Sequence, residues 1–157
     1  MNHVAAMQEK SGAALVLKRV FDAPRDLLFE VWSQPKHIVN WWGPNDFSLP
    51  FCEMDFRVGG AYRFCMRSPE GEDHWVTGIY REIDEPGRIS FTWIREDTSG
   101  KPLCDTVVTV EFTDREGRTE FTLTHTGFES ADYRDEHIGG WSQCLDRLGD
   151  YVSTPDG

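Results

Sequence analysis

The chain has 157 residues, with 16 lysines and arginines against 27 aspartates and glutamates, which gives a formal net charge of −11 at pH 7. This length suits one domain with its own hydrophobic core, and apolar runs of only a few residues predict no membrane-spanning helix. Nucleic acid and anionic lipid attract basic surfaces, so the acidity argues against both as partners.

The first part of the chain predicts one strand followed by two short helices. Ala14–Phe21 is rich in leucine and valine, which indicates a strand. Residues 22–24, Asp-Ala-Pro, open a helix with an aspartate near the N-cap and a proline in the first turn. Pro35 ends that helix and begins a second one, which stops at Gly43 and Pro44.

Residues 51–128 switch to an apolar period of two, which predicts six antiparallel strands with one buried face and one wet face. The strand near residues 75–83 is the exception, because bulky side chains occupy both parities there. The side chains predicted to point inward on the other five strands are Cys52, Met54, Phe56, Tyr62, Phe64, Met66, Ile89, Phe91, Trp93, Val108, Val110, Phe112, Phe121, Leu123 and His125.

Short turn sequences separate these strands and favour neighbouring antiparallel pairs. Residues 68–71, 97–100 and 114–117 each have Ser or Asp first and Gly fourth, which predicts type I turns. Residues 85–88, Glu-Pro-Gly-Arg, predict a type II turn, and the glycine pair 59–60 predicts a bulge or bend.

A long helix is predicted over residues 130–152, because the apolar positions return to helical spacing there. Ser130 or Asp132 caps its start. Gly139 and Gly140 lie inside this pattern, and each weakens a helix by roughly 1 kcal/mol. Their presence therefore favours close packing or a kink at that point.

This layout predicts an α+β fold in which the sheet curls around the long helix. Six strands make a sheet about 25–30 Å wide, whereas one helix is only about 10 Å across and cannot cover a flat sheet of that width. Curling leaves a wedge between helix and sheet, which aromatic side chains fill or a ligand occupies. We expect a single domain over residues 13–152, with short tails at 1–12 and 153–157.

Eight short segments of the chain carry a family resemblance. They are RVFDAP (19–24), WSQP (32–35), WWGP (41–44), DFRVGGAY (55–62), MRSPEG (66–71), GIY (78–80), TLTHTGF (122–128) and HIGGW (137–141). In this order and spacing they resemble the family named after the activator of the 90-kDa heat-shock protein's ATPase. That family belongs to the START-like, birch-pollen-allergen-like (SRPBCC) superfamily, and the resemblance spans residues 15–152.

The resemblance implies a helix-grip fold, a seven-stranded antiparallel sheet wrapped around a long C-terminal helix. It also implies a hydrophobic small molecule in the wedge, because the superfamily commonly binds such ligands. Some relatives are cyclases, hydrolases or resistance proteins that sequester a toxic ligand. The eukaryotic co-chaperone has a further N-terminal domain for chaperone engagement, so a chaperone contact is the less favoured expectation here, and a homodimer stays open.

The leading hypothesis is a non-catalytic protein that binds a hydrophobic or aromatic small molecule between the sheet and the long helix. Aromatic and methionine side chains suit such a wall, because they combine apolar area with an adaptable shape. His125 or Tyr80 would fix a polar group of the ligand. The predicted ligand-binding residues are Met54, Phe64, Met66, Tyr80, Trp93, His125 and Trp141.

His125 continues the apolar face of its strand and is predicted to point inward. An inward histidine either acts as a general base or is a structural residue that bonds to its neighbours. The first interpretation gives an alternative function, a cyclase- or hydrolase-like enzyme with His125 as its catalytic candidate. A protein-interaction or chaperone-linked module is a second alternative. His137 either meets His125 across the wedge or packs on Trp141.

No cofactor and no metal are expected, because the histidines lack ligand spacing and the cysteines at 52, 65, 104 and 144 form no CxxC pair. Cys144 is interpreted as a small core residue rather than a nucleophile. Reduced thiols, together with the lack of an apolar segment near the start, favour a cytoplasmic protein. Two disulfides in an exported protein are the alternative.

Overall fold

A computed structural model describes residues 14–96, 106–128 and 131–153 of the chain. Within these residues it contains seven strands and three helices. The strands are β1 (Leu15–Phe21), β2 (Ser48–Met54), β3 (Ala61–Arg67), β4 (Asp73–Asp84), β5 (Arg88–Arg95), β6 (Thr106–Arg115) and β7 (Arg118–Thr126). The helices are α1 (Arg25–Ser33), α2 (Pro35–Ile38) and α3 (Ala131–Ser153). The predicted tail 1–12 and residues 154–157 lie outside the described residues, and Ser153 ends α3.

The strands form one antiparallel sheet in the order β1-β7-β6-β5-β4-β3-β2. Strands β2 to β7 follow one another as neighbours, and β1 returns to pair with β7, with Leu15 opposite His125. Helix α3 contacts β1, and α1 contacts β6 and β7. The α+β helix-grip fold predicted from the sequence is confirmed.

The inner face of the sheet is buried where the alternation predicted it. Strand β5 buries Ile89, Phe91 and Trp93, and β7 buries Phe121 and Leu123 completely. Strand β2 buries less of its predicted inner face, because it lies at the edge of the sheet and its cysteine and methionine stay partly exposed.

Strand β4, whose parity the sequence left open, turns the even positions of residues 76–80 inward. Gly78 is needed on this face, because a Cβ there would lie 2.6 Å from the Tyr62 ring. On the outer face, Trp75 is covered by Arg63, whose guanidinium carbon lies 3.9 Å from the ring centroid. Strand β4 can therefore carry bulky residues on both faces, because the Arg63 guanidinium covers the aromatic ring of Trp75 on the outer face.

The turn between β6 and β7 differs from the type I turn predicted over 114–117. Its central residues, Glu116 and Gly117, have φ of 57° and 87°, the positive values of a type I′ turn, and they lie between the paired residues Arg115 and Arg118. The prediction was wrong because the twist of a two-residue hairpin loop must match the twist of its strands, which favours the primed form.

The turn between β4 and β5 also differs from the type II turn predicted over 85–88. The Gly87 N–H donates to the Asp84 carbonyl oxygen at 2.7 Å, and the Glu85–Pro86 peptide bond is cis. The turn closes one residue earlier than predicted, since Asp84 already pairs with Arg88 in the sheet.

Four further predictions concern local structure. The turn Ser68–Gly71 closes as expected, with the Gly71 N–H donating to the Ser68 carbonyl oxygen at 2.9 Å. Helix α1 begins with Pro24 at its N-cap and has no side-chain cap, so the aspartate predicted near the N-cap does not bond there. The turn predicted at 97–100 lies outside the described residues, as does Ser130, one of the two caps predicted for the long helix. The other, Asp132, lies in the first turn of α3.

The part of the wedge next to α1 is filled with aromatic rings. Trp32 lies among them, with its ring centroid 4.9 Å from that of Trp41, 5.6 Å from Trp42 and 5.9 Å from Phe121. The first two contacts are tilted and edge-on and the third is stacked, all at separations that are favourable between aromatic rings. Side chains therefore close this part of the wedge, and an open space remains farther along α3.

Candidate ligand site between the sheet and helix α3

A cavity of about 200 Å³ lies between the sheet, α3 and the loop that follows α2. Most of its lining is aromatic or apolar, and the remainder includes two histidines, an arginine and a glutamate. The lining residues are Trp42, Gly43, Pro44, Phe47, Met66, His74, Trp93, Arg95, Glu136, His137, Gly140, Trp141 and Cys144.

Three tryptophans form the apolar wall of this cavity. The ring centroids of Trp93 and Trp141 are 5.1 Å apart, and Trp42 lies 5.6 Å from Trp141 and 6.1 Å from Trp93. Each of the three side chains is at most 5% exposed. Indoles offer large rigid surfaces that lose little conformational freedom on contact, so this wall suits a flat apolar ligand.

His125 lies behind this wall and is connected to it by hydrogen bonds, directly to Trp141 and through Thr106 to Trp93. The Trp141 Nε1–H, which can only donate, gives a hydrogen bond to His125 Nδ1 at 3.1 Å. His125 therefore carries its proton on Nε2 and donates to Thr106 Oγ1 at 2.7 Å. The Thr106 hydroxyl donates in turn to the Trp93 carbonyl oxygen at 2.8 Å. We call these four residues the His125 chain.

Both ring nitrogens of His125 take part in hydrogen bonds of the His125 chain. The side chain is fully buried, and burial, with a smaller contribution from the neighbouring His137, lowers the pKa of His125 to about 2. The two imidazole rings are 5.3 Å apart, so the structure supports the alternative in which His137 meets His125, rather than the favoured one in which it packs on Trp141. The geometry therefore supports the structural interpretation of His125 and opposes its use as a general base.

The loop at residues 42–47 is tied to α3 and forms another wall of the cavity. Arg147 Nη1 lies 2.9–3.3 Å from the carbonyl oxygens of residues 42, 43, 44 and 47. The Gly43 N–H donates to Cys144 Sγ at 3.4 Å, and the thiol donates to the Trp41 carbonyl oxygen at 3.7 Å. Gly43 has φ of +100°, which a side chain would oppose, so glycine suits this loop.

The two adjacent glycines of α3 have different surroundings. A Cβ at Gly140 would lie 3.6 Å from Pro44 Cγ, whereas a Cβ at Gly139 would meet nothing within 4 Å. The close packing predicted as one reason for the pair is therefore found at neither position, since Gly140 lines the cavity with room for a Cβ and Gly139 faces solvent.

Arg95, at the end of β5, supplies a positive charge to the cavity lining. Its Nη2 lies 3.4 Å from His74 Nδ1, and its Nε is buried without a hydrogen-bond partner among the described residues. His74 Nε2 lies 3.2 Å from a Glu72 carboxylate oxygen, and Glu136 on the opposite lip is exposed. The cavity is therefore apolar inside and charged at its edge.

The structure brings together some of the seven predicted ligand-binding residues. Met66, Trp93 and Trp141 line the cavity. Phe64 and Tyr80 line a separate gap of only about 10 Å³, roughly the space of one water molecule. Met54 lines neither space, and His125 acts from behind the tryptophans.

Two polar lining residues that the sequence analysis missed, Arg95 and His74, follow the alternation that it had already identified. Arg95 is the next inward position of β5 after Phe91 and Trp93, and His74 has the same parity as the inward residues of β4. The alternation predicts that both side chains point inward, provided that it is applied to polar positions as well as to apolar ones. Phe47 lies between elements, where no periodic signal exists.

Among the described residues, no group of three or more histidine, cysteine, aspartate or glutamate side chains is placed to hold a metal ion. None of the helices in the described part of the chain is long and apolar enough to cross a lipid bilayer. Cys52, Cys65 and Cys144 are free thiols.

Comparison with known structures supports the fold. The chain is 24% identical to a crystallised AHSA1 protein from Silicibacter pomeroyi, covering 89% of this chain and 97% of that one, with a TM-score of 0.83. A crystal structure from Chromobacterium violaceum gives 24% identity, coverage of 91% and 99%, and a TM-score of 0.80. A solution structure from Arthrobacter aurescens gives 25% identity, coverage of 92% and 88%, and a TM-score of 0.82. No curated protein matches the chain significantly.

Comparison with protein families gives a match over most of the chain. The family described as Activator of Hsp90 ATPase homolog 1-like protein matches residues 22–153, which include α1, α2, α3 and all strands except β1. The resemblance inferred from the eight sequence segments is thereby confirmed, and the chain belongs to the family of Activator of Hsp90 ATPase homolog 1-like proteins.

Proposed function

We propose that the protein binds a small aromatic or otherwise apolar molecule in the cavity between the sheet and α3. The observation that carries this proposal is an open space of about 200 Å³ walled by Trp42, Trp93 and Trp141. A cavity of about 150 Å³ can take up benzene, so this one has room for a single ring with a short substituent.

The same geometry favours binding over catalysis. To act as a base, His125 would have to accept a proton on a free ring nitrogen. Its Nδ1 already accepts a hydrogen bond from the Trp141 N–H, and its Nε2 is protonated and donates a hydrogen bond to Thr106. Cys144 also lines the cavity, but burial raises the pKa of its thiol to about 12. A nucleophilic cysteine needs the opposite shift.

The cysteines support a proposal about the compartment in which the protein works. The free thiols of Cys52, Cys65 and Cys144 support a protein that works in a reducing compartment such as the cytoplasm. A homodimer and a chaperone contact are favoured by no specific feature of the described residues, so the small-molecule site remains the function that the geometry supports best.

A pair of adjacent glycines gives a matched test of the site. In Gly140→Leu the new side chain enters the cavity, whereas in Gly139→Leu the same side chain enters solvent. Both substitutions replace a poor helix former with a good one, so their effects on helix propensity are alike. The probes are benzoate, phenylacetate, cinnamate and the corresponding three amides.

Binding is measured by titration calorimetry and by NMR of the tryptophan indole N–H signals. We expect saturable shifts for Trp93 and Trp141 in the wild type and in Gly139→Leu, and no saturable shift in Gly140→Leu. Equal binding by the two variants, or no binding of any probe to the wild type, would contradict the proposed site. Native mass spectrometry of the freshly purified protein, followed by denaturing extraction, would identify a cellular ligand.

A further inference from the structure

Arg95 is placed in the cavity without the partner that a strand arginine usually has. Arg63 and Arg67 on β3 and Arg88 on β5 each have a carboxylate oxygen within 3.0 Å. Arg95 has no carboxylate within 4.0 Å among the described residues, and its Nε is buried without a hydrogen-bond acceptor. A buried guanidinium N–H without an acceptor is costly, so an acceptor supplied by a ligand would recover that loss.

The groups around Arg95 leave its charge available to a ligand. His74 contacts the guanidinium at a long 3.4 Å and is itself paired with Glu72. Glu136 lines the cavity from α3 but is exposed and makes no ion pair with Arg95. Arginine presents a planar fork of N–H groups that matches both oxygens of a carboxylate.

The position of Arg95 relative to the apolar wall sets the shape of such a ligand. Arg95 and Trp93 both face inward on β5, and positions two residues apart are about 7 Å apart along a strand. A ring resting on Trp93 and Trp141 would therefore reach the guanidinium through a substituent of one or a few atoms. The volume of about 200 Å³ allows a single ring of this kind.

We infer that the ligand is a small aromatic carboxylate, whose ring lies against the three tryptophans and whose carboxylate bonds to Arg95. This inference rests on the proposed function and adds a charge preference to it. It predicts that an acid binds more tightly than the amide of the same shape, because only the acid supplies a charged acceptor to the guanidinium.

The first test needs no variant. The wild type is titrated with benzoate, phenylacetate and cinnamate, and with the amide of each acid. At least one acid is expected to bind about 10-fold or more tightly than its amide, as a charge-assisted hydrogen bond provides. Amides that bind as tightly as their acids would overturn the charge preference while leaving the proposed site intact. No binding of either kind would overturn both.

Two variants then locate the carboxylate. Arg95→Gln is expected to weaken binding of the acid about 10- to 100-fold and to leave the amide within about threefold. Arg57→Gln removes the same charge from an exposed loop position and should not weaken binding of the acid. An equal loss in the two variants would refute this placement.

Discussion

Lowering the pH from 7 to 5 should destabilise the protein through His125 by about 2 kcal/mol. In the unfolded chain the imidazole has a pKa of about 6.5, whereas burial lowers the pKa of His125 to about 2 in the fold. Between these values the unfolded state binds more protons than the folded state, so stability falls as the pH falls. At pH 5, 1.5 units below the unfolded pKa, the loss is about 2 kcal/mol at 1.36 kcal/mol per unit.

The assay compares two proteins at two pH values. Free energies of unfolding in urea are measured at pH 7 and pH 5 for the wild type and for His125→Gln. Every other titrating group is common to both proteins, so the difference between their pH effects isolates His125. The wild type is expected to lose about 2 kcal/mol more than the variant. Glutamine keeps one donor and one acceptor, which gives the variant a means of bonding to Thr106 and Trp141.

Equal pH effects in the two proteins would refute the reasoning, because the buried imidazole would then titrate as it does in the unfolded chain. A second measurement covers the case in which the variant does not fold. NMR of the wild-type imidazole signals should show that His125 stays neutral down to pH 4. A midpoint for His125 near pH 6 would contradict both its burial and the direction of the His125 chain.

Three further substitutions test how the backbone is packed and held. Gly139→Ala should stabilise the protein by about 1 kcal/mol and raise the Tm by about 2–4 °C, since its Cβ enters open space. Gly78→Ala should destabilise it by about 3 kcal/mol or more, because the new Cβ overlaps the Thr92 carbonyl oxygen and also collides with the Tyr62 ring. Thermal unfolding measures both, and a similar change in both proteins would contradict this assignment. Arg147→Met should cost about 1–3 kcal/mol and weaken probe binding, because it frees the four carbonyl groups of the 42–47 loop. Unchanged urea unfolding and unchanged probe affinity would show that this arginine does not hold the wall.

The sheet could be predicted from the sequence because each strand repeats one signal several times. Alternation over five strands placed Phe64, Trp93 and His125 on the inner face, and the structure confirms each of them as buried. The same signal extends to Arg95, but a search for apolar residues stops at the first charged side chain. The charged edge of the cavity was therefore within reach of the sequence, and only the treatment of polar positions concealed it.

Other features could not be derived from local sequence patterns. Arg147 holds carbonyl groups 100 to 105 positions earlier in the chain, and Cys144 bonds to Gly43 over a similar separation. No periodic pattern links such distant positions. The type I′ turn at Glu116 was missed for another reason, because the twist that selects it belongs to the paired strands and not to the four turn residues.

The wedge between the sheet and the long helix is partly filled and partly open. Around Trp32 the rings fill the space. Trp42, Trp93 and Trp141 also pack on one another, but together they form only one wall of a cavity that the 42–47 loop and α3 complete. The His125 chain joins the indole of Trp141 to the backbone of Trp93, and Arg147 holds the loop that carries Trp42. The walls are thus fixed by the protein's own hydrogen bonds before a ligand arrives. A preformed site loses little conformational entropy on binding, so even a ligand of one ring can gain useful affinity there.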